Sequence, residues 1–138
     1  MTTREWLNRG FAISRTLEIK KASRDTLANI ISRYEASETQ TDHSNSAEDT
    51  ALKWSECQRE IERLELELRT IDLETNEVLS HLENMNEYKV LYCRYIRRLS
   101  WTEIAEVTKY SQQHVFKLHH DGVRGCTKYM ESVRRVWV

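Results

Sequence analysis

The residues best suited to chemistry lie together near the carboxyl end of the chain. After Tyr110, the run SQQHVFKLHH holds two glutamines, a phenylalanine, a lysine and three histidines. If Ser111 caps a helix whose inner face carries Val115 and Leu118, the other side of that helix is polar and basic. The outward-facing residues are then Gln112, Gln113, Phe116, Lys117 and His120. In a DNA major groove, glutamine can bond adenine, lysine can donate to guanine or phosphate, and phenylalanine can contact the thymine methyl group. This face therefore predicts base recognition.

The segment before it completes a helix-turn-helix pattern. Ser100 is followed three residues later by Glu103, which is the capping-box signature of a helix start. Ile104 and the small Ala105 fall on the buried side of that helix, and residues 108–110 form the turn. Polar and basic side chains around these helix ends are the candidates for contacts with the DNA backbone. They are Arg97, Arg98, Thr102, Lys109, Ser111 and Arg124.

The same residues also have plainer interpretations. Ile104 would belong to the core of any three-helix bundle, Phe116 would suit a dimer interface, and the arginines would suit a solvated face. His119 is expected to pack between helices or to contact phosphate. Four potential metal ligands lack the spacing of a zinc finger: Cys93, His119, His120 and Cys126. With no Ser/His/Asp or Cys/His set and no glycine-rich phosphate loop, we expect no metal site, no cofactor and no catalytic residues, and predict that the protein is not an enzyme.

The composition predicts an all-α protein. Its 138 residues include three glycines and no proline, which leaves few of the turns that a sandwich, a barrel or a βαβ array needs. Charged residues make up 31% and the mean hydropathy is −0.71, as in long solvated helices with narrow apolar seams. No stretch approaches the roughly 18 apolar residues of a membrane span. Three cysteines without CxxC spacing fit a reducing compartment, so we expect a cytoplasmic protein with no membrane partner.

Residues 1–85 are predicted to form a helical hairpin or coiled coil. One helix covers residues 4–34, and a second covers residues 51–85. Residues 35–50 lack large apolar side chains and are predicted to be a flexible connector. The second helix carries a stripe with the alternating three- and four-residue spacing of a coiled coil: Trp54, Cys57, Ile61, Leu64, Leu68, Ile71, Thr75, Val78, Leu82 and Met85. Similar helix lengths favour an antiparallel hairpin, with or without dimerisation on top of it, and the alternative is a parallel homodimer through residues 54–85.

Residues 86–138 are predicted to be a separate helix-turn-helix domain. They carry ten Lys/Arg and five Asp/Glu, whereas residues 35–85 carry four Lys/Arg and fourteen Asp/Glu. An acidic middle followed by a basic end suggests two different partners for the two parts. The acids Asp72, Glu74 and Glu77 are expected to be solvated. The segment from Gly122 onward carries apolar residues at helical spacing and is expected to close the bundle.

One run of the chain resembles a known family. From Leu91 to His119 it reads L-x-x-R-Y-I-x-x-x-S-W-x-E-I-A-x-x-x-x-Y-S-x-x-x-V-x-x-L-H. This is similar to phage-encoded regulators with a sigma-factor region-four-like helix-turn-helix, which include relatives of ArpU-type late-gene regulators. The resemblance implies a sequence-specific transcription regulator of phage or prophage genes. It would bind double-stranded DNA in the cytoplasm of a bacterial host. Separately from the resemblance, the acidic charge of the second long helix suggests that this helix faces host RNA polymerase.

The resemblance also carries roles onto individual residues. It places the base-reading positions at Gln112, Gln113, Phe116 and Lys117. The chain departs from the family at the turn, where Thr108-Lys109 stands in place of the usual Leu-Gly. A left-handed turn residue that is not glycine costs about 1 kcal/mol, so the resemblance does not fix the angle of the reading helix.

Two other classes of protein share some of these features. A phage small terminase subunit also combines a helix-turn-helix with long helices, but it recognises packaging sites, assembles into rings and usually carries its DNA module first. A coiled-coil protein that binds RNA polymerase or a sigma factor would use the long helices and would need no DNA contact.

Overall fold

A computed structural model describes residues 1–36 and 44–137 of the chain. Within these ranges the secondary structure consists of helices and short turns, with no strand, which confirms the all-α prediction. The helices are α1 (Thr3–Leu7), α2 (Arg9–Ala36), α3 (Ser44–Leu79), α4 (Met85–Tyr95), α5 (Trp101–Thr108) and α6 (Gln112–Trp137).

The contacts divide the chain into two compact units. We call residues 13–68 the hairpin unit, and residues 1–12 together with the chain from Arg69 onward the bundle unit. This grouping differs from the predicted boundary after residue 85, because the start of the chain and the end of α3 join the C-terminal helices.

In the hairpin unit, α2 and α3 pack antiparallel, as predicted. Leu17, Ile61 and Leu64 form one buried cluster, and three half-buried side chains pack against it: Ile13, Cys57 and Leu68. The Cys57 thiol donates to the Lys20 carbonyl oxygen over 3.2 Å, in the antiparallel register. This part of the α3 stripe therefore packs on α2 within one chain.

The helix boundaries differ from the sequence prediction at both ends of the hairpin. The helix expected over residues 4–34 is interrupted at Asn8, which caps α1. Of the predicted connector, residues 44–50 are helical in α3 and residues 35–36 in α2, whereas residues 37–43 lie outside the described part. Small and polar residues can extend a helix that is already packed further along, because helix formation is cooperative and does not require an apolar side chain at every turn.

The bundle unit is built from α4, α5 and α6, with α1 and the end of α3 against them. Its core consists of fully buried side chains from all these elements: Leu7, Leu79, Val90, Leu91, Ile104, Val115 and Cys126. None of the helices in residues 1–36 and 44–137 combines the length and the apolar character that crossing a lipid bilayer requires.

Two glycines allow α6 to pass close to its neighbours. A Cβ at Gly122 would lie 2.6 Å from Leu91 Cδ1, and a Cβ at Gly125 would lie 2.7 Å from Leu82 Cδ2. The helix α6 runs through both glycines without a break, so the segment from Gly122 onward continues the helix that begins at Gln112. Both glycines lie within a single helix of 26 residues, and they allow this helix to pack closely against Leu91 and Leu82.

Candidate nucleic-acid interface

Both helix starts of the predicted helix-turn-helix are capped as the sequence indicates. The Ser100 hydroxyl accepts from the Glu103 backbone N–H (3.2 Å), and the Glu103 carboxylate accepts from the Ser100 backbone N–H (3.1 Å). This hydrogen bonding to Ser100 lowers the pKa of Glu103. The Ser111 hydroxyl accepts from the His114 backbone N–H at 3.2 Å. These bonds satisfy backbone donors that the first turn of each helix leaves free.

The turn between the two helices is left-handed although it contains no glycine. Lys109 ends α5 with φ 64° and ψ 20°, and its side chain is exposed. The next residue, Tyr110, anchors the turn to the start of α4, because its hydroxyl donates to the Asn86 side-chain oxygen over 2.9 Å. A lysine therefore occupies the position that usually favours glycine, at a cost of about 1 kcal/mol.

The first turns of α6 separate an apolar face from a polar one. Val115, Leu118 and His119 are buried. The five side chains expected to face outward are all exposed: Gln112, Gln113, Phe116, Lys117 and His120. The structure therefore brings the predicted base-reading residues onto one accessible face of a single helix.

An aromatic cluster fixes the position of this face. The Trp101 ring lies edge-on to Phe116 and to His119, with centroids 5.2 Å and 4.9 Å apart. The Arg94 guanidinium lies 4.4 Å from the Trp101 ring centroid and donates to the Leu99 carbonyl oxygen. Phe116 is 47% exposed, so its ring contacts Trp101 and still presents surface to solvent. Such contacts hold α5 and α6 at a fixed angle.

His119 packs between helices of the bundle, which is one of the two roles expected from the sequence; the other was a contact with phosphate. It is 6% exposed, and its Nε2 is hydrogen-bonded to the Tyr95 hydroxyl. Burial lowers the pKa of His119 to about 4, and the positive charges of Arg4 and Arg94 act in the same direction. Cys93 and Cys126 are buried free thiols, and the described residues contain no group of three or more His, Cys, Asp or Glu placed to hold a metal ion.

Of the six residues predicted to contact the DNA backbone, five are exposed in the structure, and the sixth, Arg98, is paired with an acid of the same protein. The exposed residues are Arg97, Thr102, Lys109, Ser111 and Arg124. Arg98 instead forms a two-pronged ion pair with Asp72, with N–O distances of 2.9 and 3.3 Å. Its backbone is left-handed (φ 55°), and its side chain is 17% exposed. Arg98 thus fastens the loop after α4 to α3, and Asp72 is not the purely solvated acid expected from the sequence.

One basic residue near this face was not predicted from the sequence. Arg4 lies on α1, and together with His120 it lines two neighbouring clefts of about 340 and 580 Å³. In the predicted helix over residues 4–34, Arg4 is the first residue of the hairpin. The sequence does contain a sign of this separate helix. Thr2 and Glu5 have the spacing of a capping box, which indicates a helix start, and they form that capping box in the structure.

Comparisons with known proteins identify no relative of this chain. No family model, no curated protein and no solved structure matches the chain.

Proposed function

We propose that this protein is a sequence-specific DNA-binding regulator of transcription that reads the major groove with the amino-terminal turns of α6. The observation that carries the proposal is the exposed face of Gln112, Gln113, Phe116, Lys117 and His120 on a capped helix that follows a second capped helix and a left-handed turn. Amide and ammonium groups at this spacing offer the hydrogen-bond donors and acceptors that distinguish base pairs.

The surroundings of α6 fit contacts with the DNA backbone. Arg97, Lys109 and Arg124 are exposed cations, and Thr102 and Ser111 are exposed hydroxyl donors near helix starts. Such groups fix the register of a protein on the duplex, whereas base contacts supply specificity. Arg98 is not included, because Asp72 already binds its guanidinium.

The regulatory part of the proposal draws on the similarity of Leu91–His119 to phage-encoded regulators with a sigma-like helix-turn-helix. A regulator of phage or prophage genes would need one specific site among many competing ones. Its affinity for that site must therefore exceed its affinity for other duplexes by several orders of magnitude.

The test is selection of binding sites from a pool of random duplexes, carried out with the wild type and with Gln113→Ala. We expect the wild type to enrich one motif and the variant to lose preference at one base pair, because a good amide contact contributes about 1–3 kcal/mol of discrimination. Asn29→Ala, which removes an exposed amide from the hairpin unit, is the matched control and should enrich the wild-type motif. A wild type that enriches no motif would overturn the proposal.

A further inference from the structure

The amino-terminal helix α1 is fastened to α6 within the bundle unit. Leu7 is 1% exposed and belongs to the bundle core. The Thr127 hydroxyl of α6 donates to the Thr3 hydroxyl over 2.6 Å. These contacts give α1 a fixed place beside α6.

This placement puts a cationic side chain next to the exposed face of α6. Arg4 and His120 line both clefts that flank the contact between α1 and α6. Two further arginines, Arg124 and Arg134, line the larger cleft, where Glu131 is the acid. Among the described residues, no ion pair or hydrogen bond engages the side chains of Arg4, Arg124 and Arg134, so all three guanidinium groups have donors to offer.

A guanidinium in this position suits an anion that lies along the α6 face. Lys117 and Arg124 are seven residues apart on α6, or about 10 Å along the helix axis. His120 lies between Lys117 and Arg124 in the sequence, and Arg4 lines the same two clefts as His120. The electrostatic effect of Arg4 on buried His119 agrees with this proximity. The anion that follows such a line of cations is a polyanion with regularly spaced charges.

We propose that Arg4 contacts a backbone phosphate of the DNA bound by α6, so that α1 forms part of the DNA interface. The inference rests on the proposed function and adds a residue to it from the opposite end of the chain. Arg4 would position the duplex without reading its sequence, since phosphate contacts are the same for every base pair.

The experiment measures the binding constant by fluorescence anisotropy against salt concentration, for wild type, Arg4→Gln and Arg4→Lys. The probes are the duplex enriched by selection and a mixed-sequence duplex of equal length. We expect Arg4→Gln to make the slope of log K against log salt shallower by about 0.9 and to weaken both duplexes to the same extent, on the order of tenfold at low salt. Arg4→Lys keeps the charge and should retain the wild-type slope.

Arg33→Gln, which removes an exposed arginine from the hairpin unit, is the matched control and should leave slope and affinity unchanged. Circular dichroism and thermal melting of each variant test whether the protein keeps its helix content and its stability. An Arg4→Gln protein with the wild-type slope, or one that loses affinity for the selected duplex alone, would overturn the inference while leaving the proposed function intact. A wild type without salt-sensitive affinity for either duplex would overturn both.

Discussion

His119 makes the stability of this protein depend on pH between about 6.5 and 4. The imidazole is buried and neutral in the folded protein, where its pKa is about 4, whereas an exposed histidine in the unfolded chain has a pKa near 6.5. As the pH falls, the unfolded chain therefore binds the proton first. The free energy of unfolding is unaffected by this group above about pH 6.5 and decreases between about 6.5 and 4. It decreases no further below the folded pKa.

The magnitude follows from the two pKa values. Each pH unit inside this window corresponds to about 1.4 kcal/mol, which sets a ceiling of about 3.5 kcal/mol for the whole window. Urea unfolding at pH 7, 5.5 and 4, followed by circular dichroism, measures the loss. We expect His119→Gln to be less stable than wild type at pH 7, because an amide does not reproduce the ring contacts of the imidazole with Tyr95 and Trp101. Its stability should also fall less on acidification, by about 2–3 kcal/mol.

The matched control is His120→Gln, which removes the exposed imidazole next along α6. We expect this variant to lose stability with acid as the wild type does. If His119→Gln and the wild type lost equal stability between pH 7 and pH 4, the reasoning from burial would be refuted.

Three further predictions concern the elements that position the candidate interface. Asp72→Asn should lower the free energy of unfolding by about 1–2 kcal/mol in urea titrations, because it removes the charge from a partly buried ion pair with Arg98, and an unchanged value would contradict that role. Lys109→Gly should raise the melting temperature, since glycine relieves about 1 kcal/mol of left-handed strain, while lowering DNA affinity if the lysine contacts phosphate. Gly122→Val should destabilise by about 1–3 kcal/mol through overlap with Leu91, and adding Leu91→Ala should recover part of this loss; two independent losses in the double variant would argue against the contact.

The sequence predicted the local features of the fold well because they depend on nearby residues. The capping box of Ser100 and Glu103 requires a spacing of three, and the opposite faces of α6 follow from helical periodicity. The antiparallel hairpin also followed, since the stripe on α3 needed an apolar partner and α2 offered one through Leu17. In each case the feature follows from the spacing of residue types along the sequence.

The features that sequence reasoning missed depend on contacts between distant segments. Arg4 lies beside α6 only because α1 packs back onto the bundle through Leu7, more than one hundred residues from α6 in sequence. The sequence gives no reason for a glycine at position 122, and the proximity of Leu91 explains why one lies inside a continuous helix. The pairing of Arg98 with Asp72 likewise requires the path of the loop after α4.

Photocrosslinking tests most directly whether α6 enters the major groove. A benzophenone amino acid would replace Gln113 in one protein and the exposed Glu56 of the hairpin unit in another, and each would be irradiated with the duplex obtained by selection. We predict a crosslink from position 113 that maps to one or two adjacent base pairs within the selected motif, and none from position 56. Binding of the duplex without any crosslink from position 113, or equal crosslinking from both positions, would contradict the proposed role of α6.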